Sequence, residues 1–403
     1  MRSILRTAVV VAASLLLVPQ FVAAADLDVE IQDMKQRLEA MESQIQAQSA
    51  ELTDARAMVA AQQVQIDQTE TLVTDERDAV SALSSFLEST DISGFVAAGW
   101  NYADTNTNDN VDGTSSFNLD QAWITMNKAS TADSRAGFNL ELQMGEMALE
   151  TQGGTPNSTS VGLYAASVSY LAPVGSGLLI DAGILATALG AEVEAQNGNW
   201  QISRGAVFAL QPITNTGATA SYGLTDNISV MVGVLNDPFA SDRNNTDGSL
   251  GLTSQVSYSQ DNFGLNVGYN YGSSDAVDER NGILDIVATL DVNDNISAWV
   301  NYDYVTNETA AGADGPSTQG LAVAGRVGVM DGTGISGRFE YVSTSSGTDV
   351  ETDKQTTYTV TVDHALTAGL TGKFEYRYND VDLAGGVAGN PGNEIAVQLL
   401  YQF

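Results

Sequence analysis

The sequence predicts an all-β transmembrane barrel of about 16 antiparallel strands that follows an α-helical coiled-coil stalk. Three observations predict this fold class. Apolar residues recur with a heptad period in residues 26–92, they recur at every second position in residues 93–403, and short turns alternate with long polar loops in that second segment. Residues 1–25 precede both segments and have the pattern of an export signal.

The export signal is predicted from charge and length. Arg2 and Arg6 supply a basic start, and the apolar run "AVVVAASLLLV" that follows is too short to span a bilayer. The stretch "VAAA", Val22 to Ala25, ends in the small residues that a signal peptidase accepts, so we expect the mature chain to begin near Asp26.

Composition excludes several classes of partner and site. The 16 basic and 50 acidic residues give a net charge of −34, which excludes nucleic acid because phosphate binding needs clustered Lys and Arg. The absence of cysteine excludes a disulfide framework and a thiolate metal site. No second apolar run of 18 residues is present, so the sequence predicts no helical membrane span.

The segment 26–92 contains no Gly or Pro and is predicted to form a periplasmic coiled coil roughly 90 Å long. One helix cannot bury its own apolar stripe, so we expect the chain to be oligomeric. The heptad pattern leaves dimer and trimer open, and a lone amphipathic helix is the weaker alternative. Nine consecutive a positions are apolar: Ile31, Leu38, Ile45, Leu52, Val59, Ile66, Val73, Val80 and Leu87.

The segment 93–403 alternates with a period of two. In "FEYRY" the aromatic residues Phe374, Tyr376 and Tyr378 share one face, and the charged residues between them share the other. In a barrel that crosses lipid the apolar face points outward and the polar, Gly-rich face lines water. The last strand, "EIAVQLLYQF", is predicted to close the barrel, with Tyr401 and Phe403 on its outer face, because an open strand edge in lipid leaves backbone groups unsatisfied.

The connections between strands fix the predicted strand number. Alternating short and long connections with both termini on one side is what a bacterial outer-membrane barrel requires. Seven short turns are predicted at 128–134, 172–176, 224–227, 260–262, 291–295, 330–334 and 364–369. Eight long loops are predicted at 103–115, 148–160, 188–214, 237–248, 272–280, 306–317, 345–354 and 381–392.

Three segments resemble the OmpL-like β-barrel porin family: "FNLDQAWITM" (117–126), "GILATALGAEVEAQNGNWQISRG" (183–205) and "NTGATASYGL" (215–224). The N-terminal coiled coil is similar to that of some trimeric porins with a periplasmic stalk. This resemblance implies a homotrimer in the outer membrane of a Gram-negative-type bacterium, in contact with lipid and lipopolysaccharide. It also implies passive diffusion of small polar solutes, no cofactor, and recognition of the final strand by the barrel-assembly machinery.

The resemblance makes loop 188–214 the candidate constriction, because the third extracellular loop of general porins folds into the lumen. This loop carries Glu192, Glu194 and Arg204. An acidic loop facing a basic wall predicts a transverse field, and the acidic excess predicts mild cation preference. Two alternatives stay open: the charges only solvate a wide lumen, or Arg204 pins the loop to the wall. Alternation places five basic residues on the lumen face: Arg135, Arg326, Arg338, Lys373 and Arg377.

Other classes of function fit the sequence less well. The single histidine, His364, falls in the outward register beside a short turn, so no hydrolase site is predicted and the protein is expected not to be an enzyme. Trp299 is the candidate for inward ligand stacking. The acidic loop 104–113 does not match the EF-hand spacing, so a solvated loop is expected there rather than a metal site. The main alternative function is a structural tether toward peptidoglycan, and a plugged receptor is a third possibility.

Overall fold

The computed structural model describes residues 24–104, 114–145, 160–239, 248–273, 279–308, 314–345, 351–383, 387–388 and 392–403. Most of the predicted signal peptide, and the acidic loop beyond Asp104, lie outside these residues. Two compact units are present, one up to Ser85 and one from Phe86 onward.

The first unit is a single helix, α1 (Ala24–Glu88), of 65 residues, which is about 100 Å at 1.5 Å per residue. The predicted helical stalk is confirmed as a helix, and its association into a coiled coil stays a prediction. All nine apolar a-position side chains are between 39% and 66% exposed on the isolated chain. Among the described residues, no helix has the length and apolar character that a membrane crossing requires.

The second unit is a closed antiparallel β-barrel, as predicted. Each strand pairs with its neighbours along the chain, and the last strand pairs with the first, so the sheet has no free edge. Sixteen long strands form the wall, and β16 is a two-residue strand that pairs with the end of β15. The strands are β1 (Asp91–Asp104), β2 (Thr114–Lys128), β3 (Ala136–Gly145), β4 (Ser160–Ala172), β5 (Leu178–Ala186), β6 (Thr214–Gly223), β7 (Ile228–Leu235), β8 (Gly251–Gln260), β9 (Phe263–Ser273), β10 (Arg280–Asn293), β11 (Ile296–Glu308), β12 (Asp314–Met330), β13 (Thr333–Ser345), β14 (Glu351–Thr367), β15 (Leu370–Leu383), β16 (Val387–Ala388) and β17 (Gly392–Gln402).

The closing seam lies between β1 and β17. Val96 pairs with Tyr401, and the backbone groups of Gly94 and Phe403 exchange hydrogen bonds in both directions at 3.0 and 3.1 Å. Tyr401 also pairs with Leu370 of β15, so the final strand is bonded on both sides. This arrangement satisfies the backbone groups that would be unpaired at an open edge.

The two faces of the wall alternate as predicted. On β13, Ile335 and Phe339 are exposed on the outside, whereas Ser336, Arg338 and Glu340 are almost fully buried inside the barrel. The outward aromatic side chains of Tyr269, Tyr304, Phe374, Tyr376 and Tyr401 are likewise exposed. An apolar outer face and a polar inner face are what a lipid-embedded barrel needs.

The inner face departs from the predicted polar, Gly-rich lining at one place. Phe95, Trp123, Tyr164 and Leu400 form a buried apolar cluster on the inside. The physical reason is that these side chains pack against a polypeptide segment inside the barrel instead of facing water. Ile213, at the end of that segment, packs against the cluster.

Candidate pore constriction

The connection between β5 and β6, residues 187–213, is called the inner loop here and contains the 3-10 turns Gln196–Gly198 and Phe208–Leu210. It forms hydrogen bonds with Gln121 on β2, Gln255 on β8, Asn301 on β11 and Glu375 on β15. These four strands are spread around the whole circumference of the closed barrel. A segment that contacts all of them must lie inside the lumen. The inner loop therefore crosses the interior and narrows it.

The centre of the loop attachment is an ion-pair cluster on β13. The Arg338 guanidinium lies 2.5 Å from the Glu192 carboxylate of the inner loop and 3.0 Å from Glu340 on its own strand. Arg338 also donates to the backbone carbonyl of Ser203 at 2.8 Å. All three charged side chains are almost fully buried. Such a cluster is stable only while every member keeps its partners, because an unpaired buried charge is costly.

Backbone amides of the inner loop complete the coordination of these carboxylates. Glu192 accepts a hydrogen bond from Gly205 N–H at 2.8 Å, and Glu340 accepts one from Val207 N–H at 3.1 Å. Gly205 has no Cβ, and a Cβ there would collide with both carboxylates. The close approach of the loop backbone to the wall at this position therefore requires glycine.

A second attachment lies on β15. Glu375 accepts hydrogen bonds from Ile202 N–H at 2.6 Å and Ser203 N–H at 3.0 Å. Lys373 donates to the carbonyl of Asn199 at 2.7 Å. Charged side chains on the wall thus bind the loop backbone directly, which gives charge-assisted hydrogen bonds that are stronger than neutral ones.

A third attachment lies on β2 and β3, where Glu194 is buried. Its carboxylate accepts hydrogen bonds from the amide of Gln143 at 2.8 Å and of Gln121 at 3.2 Å. Arg204 donates to the backbone carbonyl of Glu194. This bond joins two parts of the inner loop, so a role of Arg204 in pinning the loop to the wall stays a prediction.

Acidic and amide side chains attach the end of the inner loop to β10 and β11. Gln211 donates to Asp303 at 2.8 Å and to Asn301 at 3.1 Å. Asn301 in turn donates to Asp285 at 2.7 Å and to Asp303 at 3.0 Å. These residues are fully or almost fully buried. The loop is therefore fixed to the wall at both ends and in the middle.

Trp299 is buried against the inner loop, so the suggested ligand-stacking role is wrong. Its ring stacks on Trp200 of the loop with centroids 6.4 Å apart, and it clusters with the loop residue Val207 and with Ala322 on β12. A ring covered on its face by the protein's own chain is not available to a solute. Trp299 instead adds apolar burial to the loop attachment.

The remaining predicted pore residues lie away from this network. Arg135 lies at the end of a short turn and donates to the Leu171 carbonyl at 3.0 Å. Arg326, on the inner face of β12 near the short turn to β13, forms a bidentate pair with Asp363 at 2.6 and 3.0 Å. Arg377 lies 3.8 Å from Glu394 beside the middle of the loop. The structure thus brings Glu192, Glu194, Arg204, Arg338 and Lys373 together through the inner loop, and leaves Arg135, Arg326 and Arg377 in local pairs.

The protonation of Glu192 depends on its burial between the inner loop and the barrel wall. Burial raises the pKa of Glu192, Arg338 opposes that rise, and the neighbouring Glu340 carboxylate adds to it. A carboxyl whose pKa is higher when the loop is attached stabilises attachment most below its ordinary pKa of about 4.3. That contribution is lost as the pH rises through the raised pKa.

Glu192→Gln is therefore expected to flatten the pH dependence of conductance. In the unchanged protein, single-channel conductance should rise as the pH increases above about 4, because the attachment weakens as Glu192 loses its proton. The neutral amide cannot titrate, so its conductance should change less over that range. Glu39→Gln, on the helix, is the matched control and should keep the original pH profile. Identical profiles for Glu192→Gln and the unchanged protein would contradict this role of Glu192.

Comparison with known proteins gives the family. Residues 89–402 match the family described as "Putative beta-barrel porin-2, OmpL-like". The chain belongs to this porin family. Its members are outer-membrane β-barrel channels rather than enzymes, which agrees with the barrel described above. A search of curated protein sequences found no match to this chain.

Solved structures with the same fold are outer-membrane proteins. The outer-membrane channel DcaP of Acinetobacter baumannii is 9% identical with a TM-score of 0.58, over 78% of this chain and 97% of that one. An anion-selective porin from Comamonas acidovorans is 12% identical with a TM-score of 0.58, over 78% and 99%. A loop-deletion variant of OmpT from Vibrio cholerae is 13% identical with a TM-score of 0.55, over 78% and 99%. At these identities the likeness concerns the fold alone.

Several residues that fix the inner loop were not found from the sequence. Gln121, Gln143 and Glu375 are inward by alternation, but alternation does not say what an inward residue contacts. Pairs of inward polar residues on neighbouring strands could have indicated a part of the wall that forms hydrogen bonds inside the barrel. Asp285 and Asp303 are such a pair, since they lie directly opposite each other on β10 and β11.

Proposed function

We propose that the protein is a diffusion porin that lets small hydrophilic solutes and ions cross the outer membrane, with a mild preference for cations. The observation that carries this proposal is that the inner loop narrows the lumen without filling it. One cavity of about 380 Å³ lies between the start of the loop and the wall from β3 to β9. Another of about 410 Å³ lies between the middle of the loop and β1, β2, β15 and β17.

The cation preference is supported by the charge balance. Acidic residues exceed basic residues by 50 to 16 along the chain, and an acidic surface attracts cations. The basic groups Arg338 and Lys373 are bound to the inner loop and are not free to attract anions. The preference proposed here is thus the opposite of that named for the porin of Comamonas acidovorans.

The proposed assembly is a homotrimer held together by α1. Nine apolar a-position side chains are exposed along the isolated helix, which is a stripe that association of copies would bury. Three copies are proposed because the sequence resembles trimeric porins with a periplasmic stalk. β1 begins at the rim that carries the short turns, where the Asp91–Asn127 pair lies, which supports a periplasmic position for the preceding helix.

Conductance across planar bilayers tests the proposal. Purified protein is expected to insert as channels in three equal conductance steps, with a reversal potential under a KCl gradient that shows mild cation preference. A heat-denatured sample of the same preparation is the control. Silence at all salts and voltages would refute the diffusion porin and favour the structural tether.

A further inference from the structure

We propose that solutes cross the barrel along the wall formed by β4 to β9, and that Asp181 on β5 sets the charge preference of this path. The inference rests on the proposed diffusion function and specifies where the passage lies. The cavity of about 380 Å³ between this wall and the start of the inner loop marks the path.

The charged residues of the barrel interior are unequally distributed between two parts of the wall, the strands β10 to β15 and the strands β4 to β9. On β10 to β15 the inward residues include Asp303, Arg338, Glu340, Lys373 and Glu375, and each of them binds the inner loop or a neighbouring charge. Side chains already held in such bonds have little freedom to exchange partners with a passing solute. The charged wall groups that hold the inner loop therefore lie on these strands.

The part of the wall formed by β4 to β9 is polar but almost uncharged. The wall side chains that line its cavity are mainly hydroxyls and amides, among them Ser167, Thr219, Ser221, Ser257 and Asn270. Such groups bind water and solutes weakly enough to release them, which conduction requires. This surface is therefore suited to hydrated cations and to neutral, hydroxylated molecules.

Among the described residues that line this cavity, Asp181 is the only charged one. It lies between Ser169 on β4 and Thr219 on β6 in the sheet. In the described part of the chain its carboxylate has no hydrogen-bonding or ion-pair partner. A free carboxylate in a narrow aqueous path attracts cations and repels anions.

The other cavity is the competing path, and its chemistry differs. It is lined by charges of both signs, Asp120, Arg204, Glu375, Arg377 and Glu394. Mixed charges at close range compensate one another, so a path there would discriminate weakly between ions. Single changes in the two cavities can therefore separate the two routes.

Cysteine accessibility tests the route, because the chain has no cysteine of its own. Ser257→Cys places a thiol in the proposed path, Ser254→Cys places one on the outer face of the same strand, and Ala396→Cys places one in the competing cavity. A cationic thiosulfonate reagent is expected to reduce the current of Ser257→Cys channels and leave Ser254→Cys channels unchanged. Block of Ala396→Cys channels with no effect on Ser257→Cys channels would overturn the inference.

Reversal potentials test the role of Asp181. Asp181→Asn is expected to lower the potassium-to-chloride permeability ratio, by up to about fivefold in dilute salt, the effect of one unit charge at contact in water. Asp181→Lys should shift the ratio toward chloride, and Glu394→Gln should leave it close to the original value. If both Asp181 variants conduct normally and keep the original permeability ratio, this inference alone is refuted. Absence of any current from the unchanged protein would refute the diffusion function itself.

Discussion

Arg338→Met is expected to release the inner loop from the barrel wall. The side chain is about as long as that of arginine but has no charge, so Glu192 and Glu340 would be left buried without their common partner. Breaking a buried ion pair on one side costs about 3–5 kcal/mol. At 1.36 kcal/mol per factor of ten, the attachment equilibrium shifts by a factor of about 10² or more.

Trypsin cleavage at Arg204 measures this release. Arg204 is the only basic residue in the inner loop, and its side chain is partly buried while the loop is attached. We expect the unchanged protein to resist cleavage at this bond and Arg338→Met to be cut there. Single-channel conductance should also rise, because a detached loop no longer narrows the lumen.

Arg326→Met is the matched control for the release experiment. It also removes a lumen-facing arginine with a carboxylate partner, Asp363, but this arginine side chain is about one third exposed and its ion pair is not with the inner loop. Exposed ion pairs contribute only about 0–1 kcal/mol. Its cleavage and conductance should match those of the unchanged protein. Resistance to trypsin and normal conductance in Arg338→Met would show that the other attachments suffice.

Removal of residues 26–88 is expected to abolish SDS-resistant oligomers while leaving channels of normal unit conductance. The helix carries the exposed apolar stripe, whereas the sixteen strands close on themselves within one chain. Each large apolar side chain that association buries fully contributes about 1.5–3 kcal/mol. Burial of this repeated apolar stripe therefore contributes most of the free energy of association in the proposed trimer.

Substitutions that keep the helix length separate the stripe from the helix itself. Ile45→Asp with Ile66→Asp places charges at two a positions and should dissociate the oligomer. Gln46→Asp with Gln68→Asp adds the same charge at b and c positions, which point away from the stripe, and should leave the oligomer intact. Native-gel mobility and unheated SDS electrophoresis measure both. An intact trimer after removal of the helix would show that the barrels associate through their own walls.

The sequence by itself determined the helix, the barrel and the inward or outward direction of most side chains. These features follow from short-range periods in the sequence. A heptad period with no Gly or Pro predicts the helix. Alternation of polar and apolar residues, as on the strand that contains Arg338, predicts a strand with one inward and one outward face. The closing strand was also predictable, because a lipid-embedded sheet must not have a free edge.

Only the tertiary structure decided what the inward side chains contact. Glu192 and Arg338 are 146 positions apart, and Trp299 meets Trp200 across the lumen. No local period records such contacts, since they depend on how the inner loop folds back through the closed barrel. The same holds for Asp181, because only the folded inner loop and the wall together form the cavity that its carboxylate lines.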